Sequence, residues 1–90
     1  MFATVITVLG DKAQVQQLDA PTVKDCLVSW AGRIQAEGLD DEARTRLRGD
    51  MADFDRPPIE GFGNVWRLES DLGLGGGPRA TVIVVETARR

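Results

Sequence analysis

With 90 residues, a net charge of −3 and 42% apolar residues, the sequence is typical of one folded domain. The acidic balance argues against nonspecific nucleic-acid binding, which needs Lys and Arg against the phosphates. The chain has no histidine, which excludes histidine-dependent catalysis and histidine metal ligands. No apolar run is as long as a membrane span, and no basic segment precedes the first one. We therefore expect a cytoplasmic protein that binds neither nucleic acid nor a membrane.

Two strands are predicted at the start of the chain. Residues 2–9 are rich in β-branched residues and too few for an independent helix, which is typical of a strand. Gly10 and Asp11 are a turn signal, and residues 12–18 then alternate between polar and apolar side chains, as a half-buried edge strand does. Together these segments predict a β-hairpin.

Two helices are predicted next. Thr22 and Asp25 have the spacing of a capping box at the start of the first helix, and Gly38 is its expected end. Six apolar residues of this segment follow one helical stripe: Val23, Cys26, Leu27, Trp30, Ala31 and Ile34. Asp40 is the expected N-cap of the second helix, and the proline pair at 57–58 prevents its continuation. The apolar stripe of that helix is Ala43, Leu47, Met51 and Phe54.

Two more strands are predicted over residues 62–69 and 81–87, joined by a glycine-rich segment. The last strand is apolar on both faces, as a central strand should be. The order ββααββ predicts an α+β fold, with a four-stranded antiparallel sheet in the order 2-1-4-3 and both helices on one face. The domain is expected to span residues 1–88, with 89–90 as a frayed tail.

The reactive residue types predict no catalytic, cofactor or metal site. Cys26 lies on the apolar stripe, so we interpret it as a small buried hydrophobic residue and not as a nucleophile. The glycine run at 73–77 precedes a strand and has no nearby lysine, which favours a flexible hairpin connection over a phosphate-binding loop. The aspartates between 50 and 55 do not match a calcium-binding loop. We predict that the protein is not an enzyme and holds no cofactor.

An acidic surface is the first candidate for binding a partner. Residues 37–60 contain eight acids against four arginines, a local net charge of −4. These acids either cap helices and contact solvent, or they form a patch for a basic partner protein. The candidate partner-binding residues are Asp40, Asp41, Glu42, Asp50, Asp53, Asp55 and Glu60.

The second candidate is the sheet face that points away from the helices. If Ile83 and Val85 face the helices, the alternation places Val82 and Val84 on the outer face, where Val65 joins them. Exposed valines at the centre of a sheet are typical of a homodimer or partner surface. The alternative is that Arg67 and other long side chains screen them from water. The predicted dimer face is Val65, Val82 and Val84.

Two stretches carry a resemblance to a known class of proteins. Residues 20–31 (APTVKDCLVSWA) and 59–66 (IEGFGNVW) resemble short bacterial proteins of the immunity type, which neutralise polymorphic toxins. The resemblance implies a non-enzymatic binding role, in which acids on one surface pair with a cationic toxin such as a nuclease. The other hypotheses are self-association through the outer sheet face and, less favoured, binding of a small molecule.

Overall fold

The computed structural model describes residues 1–76 and 79–87, so the predicted tail at 89–90 lies outside the described residues. Within them the elements are β1 (Phe2–Leu9), β2 (Lys12–Asp19), α1 (Val23–Arg33), α2 (Asp41–Ala52), β3 (Val65–Ser70) and β4 (Ala80–Glu86). The strands form an antiparallel sheet in the order β2-β1-β4-β3. The predicted α+β class, the ββααββ order and the strand order are confirmed.

The register of the sheet determines which side chains pack against the helices. Val5 of β1 lies opposite Val84 of β4, and Val84 in turn lies opposite Trp66 of β3. Cross-strand partners share a face, so this row and every second row beside it point toward the helices. The core that they form with α1 and α2 contains these fully buried residues: Ala3, Val5, Cys26, Leu27, Trp30, Ala31, Ile34, Leu47, Ala80, Val82 and Val84.

The predicted orientation of β4 is wrong. Val82 and Val84 were expected on the outer face, yet each is 0% exposed and belongs to the core. Ile83 and Val85 are half-buried and lie on the outer face instead, and Val65 lies there too, opposite Val85. Because side chains alternate along a strand, a one-residue difference in register moves every side chain to the other face. β4 is apolar on both faces, so its own sequence does not distinguish the two orientations.

Helix α1 ends at Arg33, earlier than the predicted end at Gly38. After it, Gln35 is held against β2 by two hydrogen bonds with the side chain of Gln14. The backbone N–H of Gln35 donates to Gln14 Oε1 at 3.3 Å, and Gln14 Nε2 donates to the Gln35 carbonyl at 2.5 Å. These bonds draw the chain out of the helical path, which explains the earlier end.

The start of the segment that leaves β3 is anchored under α2, whereas Gly77, at the end of the predicted flexible glycine run, lies outside the described residues. Leu72 is 1% exposed and has a φ of 57°. Gly73 lies so close to α2 that an added Cβ would be 2.2 Å from the Ala43 carbonyl oxygen. The Nε of Arg46 donates to the Gly73 carbonyl at 2.9 Å. This segment therefore fixes α2 relative to β3.

Candidate interaction surfaces

The sheet face that points away from the helices has an apolar centre. Its central row contains one residue from each strand: Val15, Ile6, Ile83 and Arg67. Val15 is 63% exposed, and Ile6 and Ile83 are half-buried. We call the open face the apolar set Ile6, Val8, Val15, Val65, Ile83 and Val85.

The open face differs from an ordinary solvent-facing sheet surface. Antiparallel sheets commonly place apolar residues on the packed face and polar residues on the solvated one. Here β1 and β4, the two central strands, carry apolar side chains on both faces, with Val8 at 37% exposure. Contiguous exposed apolar patches on soluble proteins mark interaction sites. The open face is therefore a candidate contact surface.

Two opposite charges border the open face on strand β3. Arg67 Nη2 lies 3.5 Å from Glu69 Oε1, and both side chains are about half exposed. The sequence leaves open whether Arg67 screens the apolar centre from water. Arg67 stands at one edge of its row, while Val15 at the other edge keeps 63% of its surface exposed. Arg67 therefore does not screen Val15, and Ile6 and Ile83 between them remain partly exposed.

The predicted acidic residues fall into two groups at opposite ends of α2. Asp40 and Asp50 are separated by ten residues of this region, which corresponds to roughly 15 Å along a helix axis. α2 itself contains three acids and three arginines, so it has no net charge. The first group is Asp40, Asp41 and Glu42, and the second is Asp50, Asp53 and Asp55.

The first acidic group stabilises the start of α2. The Asp40 carboxylate accepts a hydrogen bond of 2.8 Å from the backbone N–H of Ala43, which confirms the predicted N-cap. Glu42 pairs with Arg46 one turn later, at 3.2 Å. First-turn acids also interact favourably with the helix dipole. Helix stabilisation therefore accounts for the presence of acids at this end.

The second acidic group is continuous with an exposed apolar loop. Ile59 and Phe62 are 38% and 60% exposed, and Glu60 lies between them in sequence. The Ile59 N–H donates to the carbonyl of Val65 at 2.7 Å, and the Phe62 N–H donates to the carbonyl of Ile59 at 2.9 Å. These bonds give the loop a defined shape beside β3. We call the acidic loop the set Asp53, Asp55, Ile59, Glu60 and Phe62.

Phe62 was predicted to begin the third strand, and this is wrong because β3 begins at Val65. The glycines at 61 and 63 on either side of Phe62 are a loop signal that the alternation of residues 62–69 obscured. The sequence thus contained the information that Phe62 lies in a loop. The exposure of its ring follows only from the path of that loop.

A groove of about 440 Å³ lies between the β1–β2 hairpin and the chain that follows α1. Its volume is within the range of small-molecule sites, which is about 300–1,000 Å³. Two of its polar side chains are already engaged, because Gln14 bonds the backbone of Gln35 and the Thr7 hydroxyl accepts from Trp30. Lys12 and Glu37 are the charged residues at its wall.

Cys26 is inaccessible, and the described residues contain no cluster of potential metal ligands. Cys26 is 0% exposed, which confirms its predicted burial, and this burial raises the pKa of its thiol. Asp25, the next residue back, acts in the same direction with its negative charge. Among residues 1–76 and 79–87, no three acidic or cysteine side chains come together as metal ligands.

No protein-family model matches the chain, and no curated protein or solved structure is significantly similar to it. In the part of the chain that the structure describes, no helix combines the length and the apolar character needed to cross a bilayer.

Proposed function

We propose that this chain is a non-catalytic protein-binding domain whose main contact surface is the open face. The observation that carries the proposal is the central row, in which Val15, Ile6 and Ile83 place partly exposed apolar side chains on three adjacent strands. Covering such side chains contributes about 25 cal/mol per Å² of apolar surface removed from water. A sheet face that only contacts water gains nothing from this composition.

The shape of the open face limits what can bind it. A four-stranded sheet is about 19 Å wide at a strand spacing of about 4.8 Å. A second sheet packs on such a surface at a distance of about 10 Å, with side chains interdigitated. Arg67 and Glu69 supply directional polar contacts at the rim. The partner is therefore expected to present a similarly broad apolar face with charges at one edge.

Photo-crosslinking in the cells that make the protein tests this proposal. A photoreactive amino acid replaces Val15 on the open face or, as the control, Ser29 on the exposed side of α1. We expect a discrete cross-linked product from position 15 and none from position 29. Adding Ile83→Glu should abolish the product, because a carboxylate at the centre of the row has to be desolvated on binding. Products from position 29 alone, or products unaffected by Ile83→Glu, would contradict the proposal.

The acidic loop supports a second candidate, in which the chain neutralises a basic partner as an immunity protein would. The supporting observation is that Phe62, 60% exposed, follows Glu60 by two residues on the same loop as Asp55. An exposed aromatic ring is a common anchor at protein interfaces, and acids around it speed association with a cationic surface.

Co-expression with a basic toxin encoded beside the gene tests this second candidate. We expect the chain to protect the cells, and the double variant Asp55→Asn/Phe62→Ala to lose that protection. The matched control carries one amide substitution and one apolar truncation away from both candidate surfaces, Asp11→Asn/Leu74→Ala, and should still protect. Equal protection by both variants, or toxicity unaffected by the chain itself, would reject a role for the acidic loop.

A further inference from the structure

We propose that the occupant of the open face is a second copy of this chain, joined to the first by a two-fold axis that lies between the two sheets. This inference rests on the proposed function, because it names the partner of the same surface. Closed two-fold dimers are the commonest oligomers of soluble proteins, and their interface must be complementary to itself. The residues that border the open face satisfy that requirement in one orientation.

The charge pattern on β3 selects the direction of the axis. Arg67 and Glu69 are two residues apart, so their side chains share the outer face and lie in neighbouring rows. An axis perpendicular to the strands and midway between these rows places Arg67 of each copy opposite Glu69 of the other. The dimer then has two ion pairs between the copies, in addition to the one within each copy. No charged side chain on β3 lies opposite one of the same sign.

The same axis also brings a central apolar residue of each row together, while Ile83 then lies opposite Thr81 and Val15 opposite Ala13 of the other copy. The row of Arg67 contains Ile6, and the row of Glu69 contains Val8. Because the axis exchanges these rows, Ile6 of one copy packs against Val8 of the other on both sides of the axis. Aligned sheets are rotated by about 30°, and the long side chains of Arg67 and Glu69 can span the offset that this rotation introduces at the sheet edge.

Other two-fold arrangements of the open face are unfavourable. An axis parallel to the strands places β3 over β2, so that Arg67 faces Val15 of the second copy and Glu69 faces Ala13. Both charges would then lose water and keep only the ion pair within their own copy, which is costly. An axis through the central row itself places Arg67 against Arg67. Of these three arrangements, the charge pattern favours the one with the axis between the rows of Arg67 and Glu69.

The available area indicates a weak dimer. Four strands and about six residues along each give a flat footprint of about 400 Å² per copy, and side-chain relief raises the accessible area above it. Specific interfaces start near 600 Å² per partner. The open face lies near the lower end of that range, so we expect an association that becomes visible only at high protein concentration.

Charge reversal combined with sedimentation equilibrium tests the arrangement. The wild-type chain is measured between 1 μM and 1 mM, with far-UV circular dichroism to verify the fold of every variant. Arg67→Glu makes both facing positions acidic and Glu69→Arg makes both basic, so each single variant should dimerise at least tenfold more weakly. The double variant Arg67→Glu/Glu69→Arg restores opposite charges and should dimerise as the wild-type chain does.

An equimolar mixture of the two single variants is the decisive sample. The acidic and basic chains are complementary in the proposed arrangement, so the mixture should form a heterodimer although neither variant dimerises well alone. A wild-type chain that remains monomeric at 1 mM, or a mixture that remains monomeric, would overturn the inference. If crosslinking from position 15 still captured another protein, the proposed function would stand and only the self-association would fail. If the chain neither self-associated nor gave a cross-linked product from position 15, both proposals would be wrong.

Discussion

The indole N–H of Trp30 donates a hydrogen bond of 2.8 Å to the hydroxyl of Thr7, and both side chains are buried. This bond connects α1 to β1 and requires Thr7 to point inward. The alternation of β1 then places Ile6 and Val8 on the other side of the sheet, although they are more apolar than Thr7. A polar contact in the core thus stabilises the orientation of β1 that leaves Ile6 and Val8 on the open face.

Replacing Thr7 with valine should reveal the contribution of this bond. Thr7→Val preserves the shape of the side chain and leaves the buried indole N–H without an acceptor, which typically costs about 1–3 kcal/mol of unfolding free energy. Thr7→Ser is the control, because it retains the hydroxyl and loses one methyl group, worth about 0.8 kcal/mol. Urea unfolding followed by tryptophan fluorescence measures both. A valine variant that is as stable as the serine variant would show that the bond contributes little.

Gly73 and Gly75 have similar backbone conformations but differ in their surroundings. Replacing each with alanine therefore separates the cost of crowding from the cost of a positive φ in the free energy of unfolding. Gly73 has a φ of +73° and Gly75 has a φ of +78°. An added Cβ at Gly73 would collide with the backbone of Ala43. An added Cβ at Gly75 would meet nothing within 4 Å. Gly75→Ala should cost about 1–2 kcal/mol, the usual penalty of a left-handed residue. Gly73→Ala should cost clearly more, because α2 must move. Thermal unfolding compares the two, and equal losses would contradict the close contact with α2.

The buried thiol predicts a pH dependence of stability. Its pKa is raised in the folded protein, whereas an unfolded chain has a cysteine pKa of about 8.5. Below that pH both states are protonated and stability is unaffected. At higher pH the unfolded state loses the proton first, so the free energy of unfolding falls until the folded pKa is also passed.

Urea unfolding between pH 7 and pH 10 measures this effect, with Cys26→Ala as the variant that cannot titrate there. The wild-type chain should lose more stability than the variant over this interval. The two proteins are compared by the change of their unfolding free energy with pH and not by its absolute value. The alanine variant is destabilised at every pH because it loses buried volume. If the free energy of unfolding fell equally with pH in both proteins, the thiol would not contribute to the pH dependence of stability.

Local sequence patterns were sufficient to predict the elements and their order in the sheet. The helical stripe from Cys26 to Ala31 and the N-cap at Asp40 are short-range features, and short-range physics determines them. The end of α1 depends on Gln14, which is 21 residues from its partner Gln35. A contact at that separation has no local signature, so the sequence predicted a longer helix.

The open face was predicted as a surface but with two wrong members. The orientation of β4 depends on its register with β1 and β3, which local alternation does not determine when both faces are apolar. Val65 lies on the predicted side, while Val82 and Val84 are in the core. Val15 was missed, although a single valine among the polar residues of β2 was a visible signal.

A methyl spectrum of the chain labelled at isoleucine tests the central claim most directly. The four isoleucines lie in informative places, because Ile6 and Ile83 are on the open face, Ile34 is in the core and Ile59 is on the acidic loop. As the concentration rises from 20 μM to 1 mM, we expect the signals of Ile6 and Ile83 to shift while those of Ile34 and Ile59 stay in place. Movement of Ile59 alone, or no movement of any signal up to 1 mM, would contradict a dimer formed through the open face.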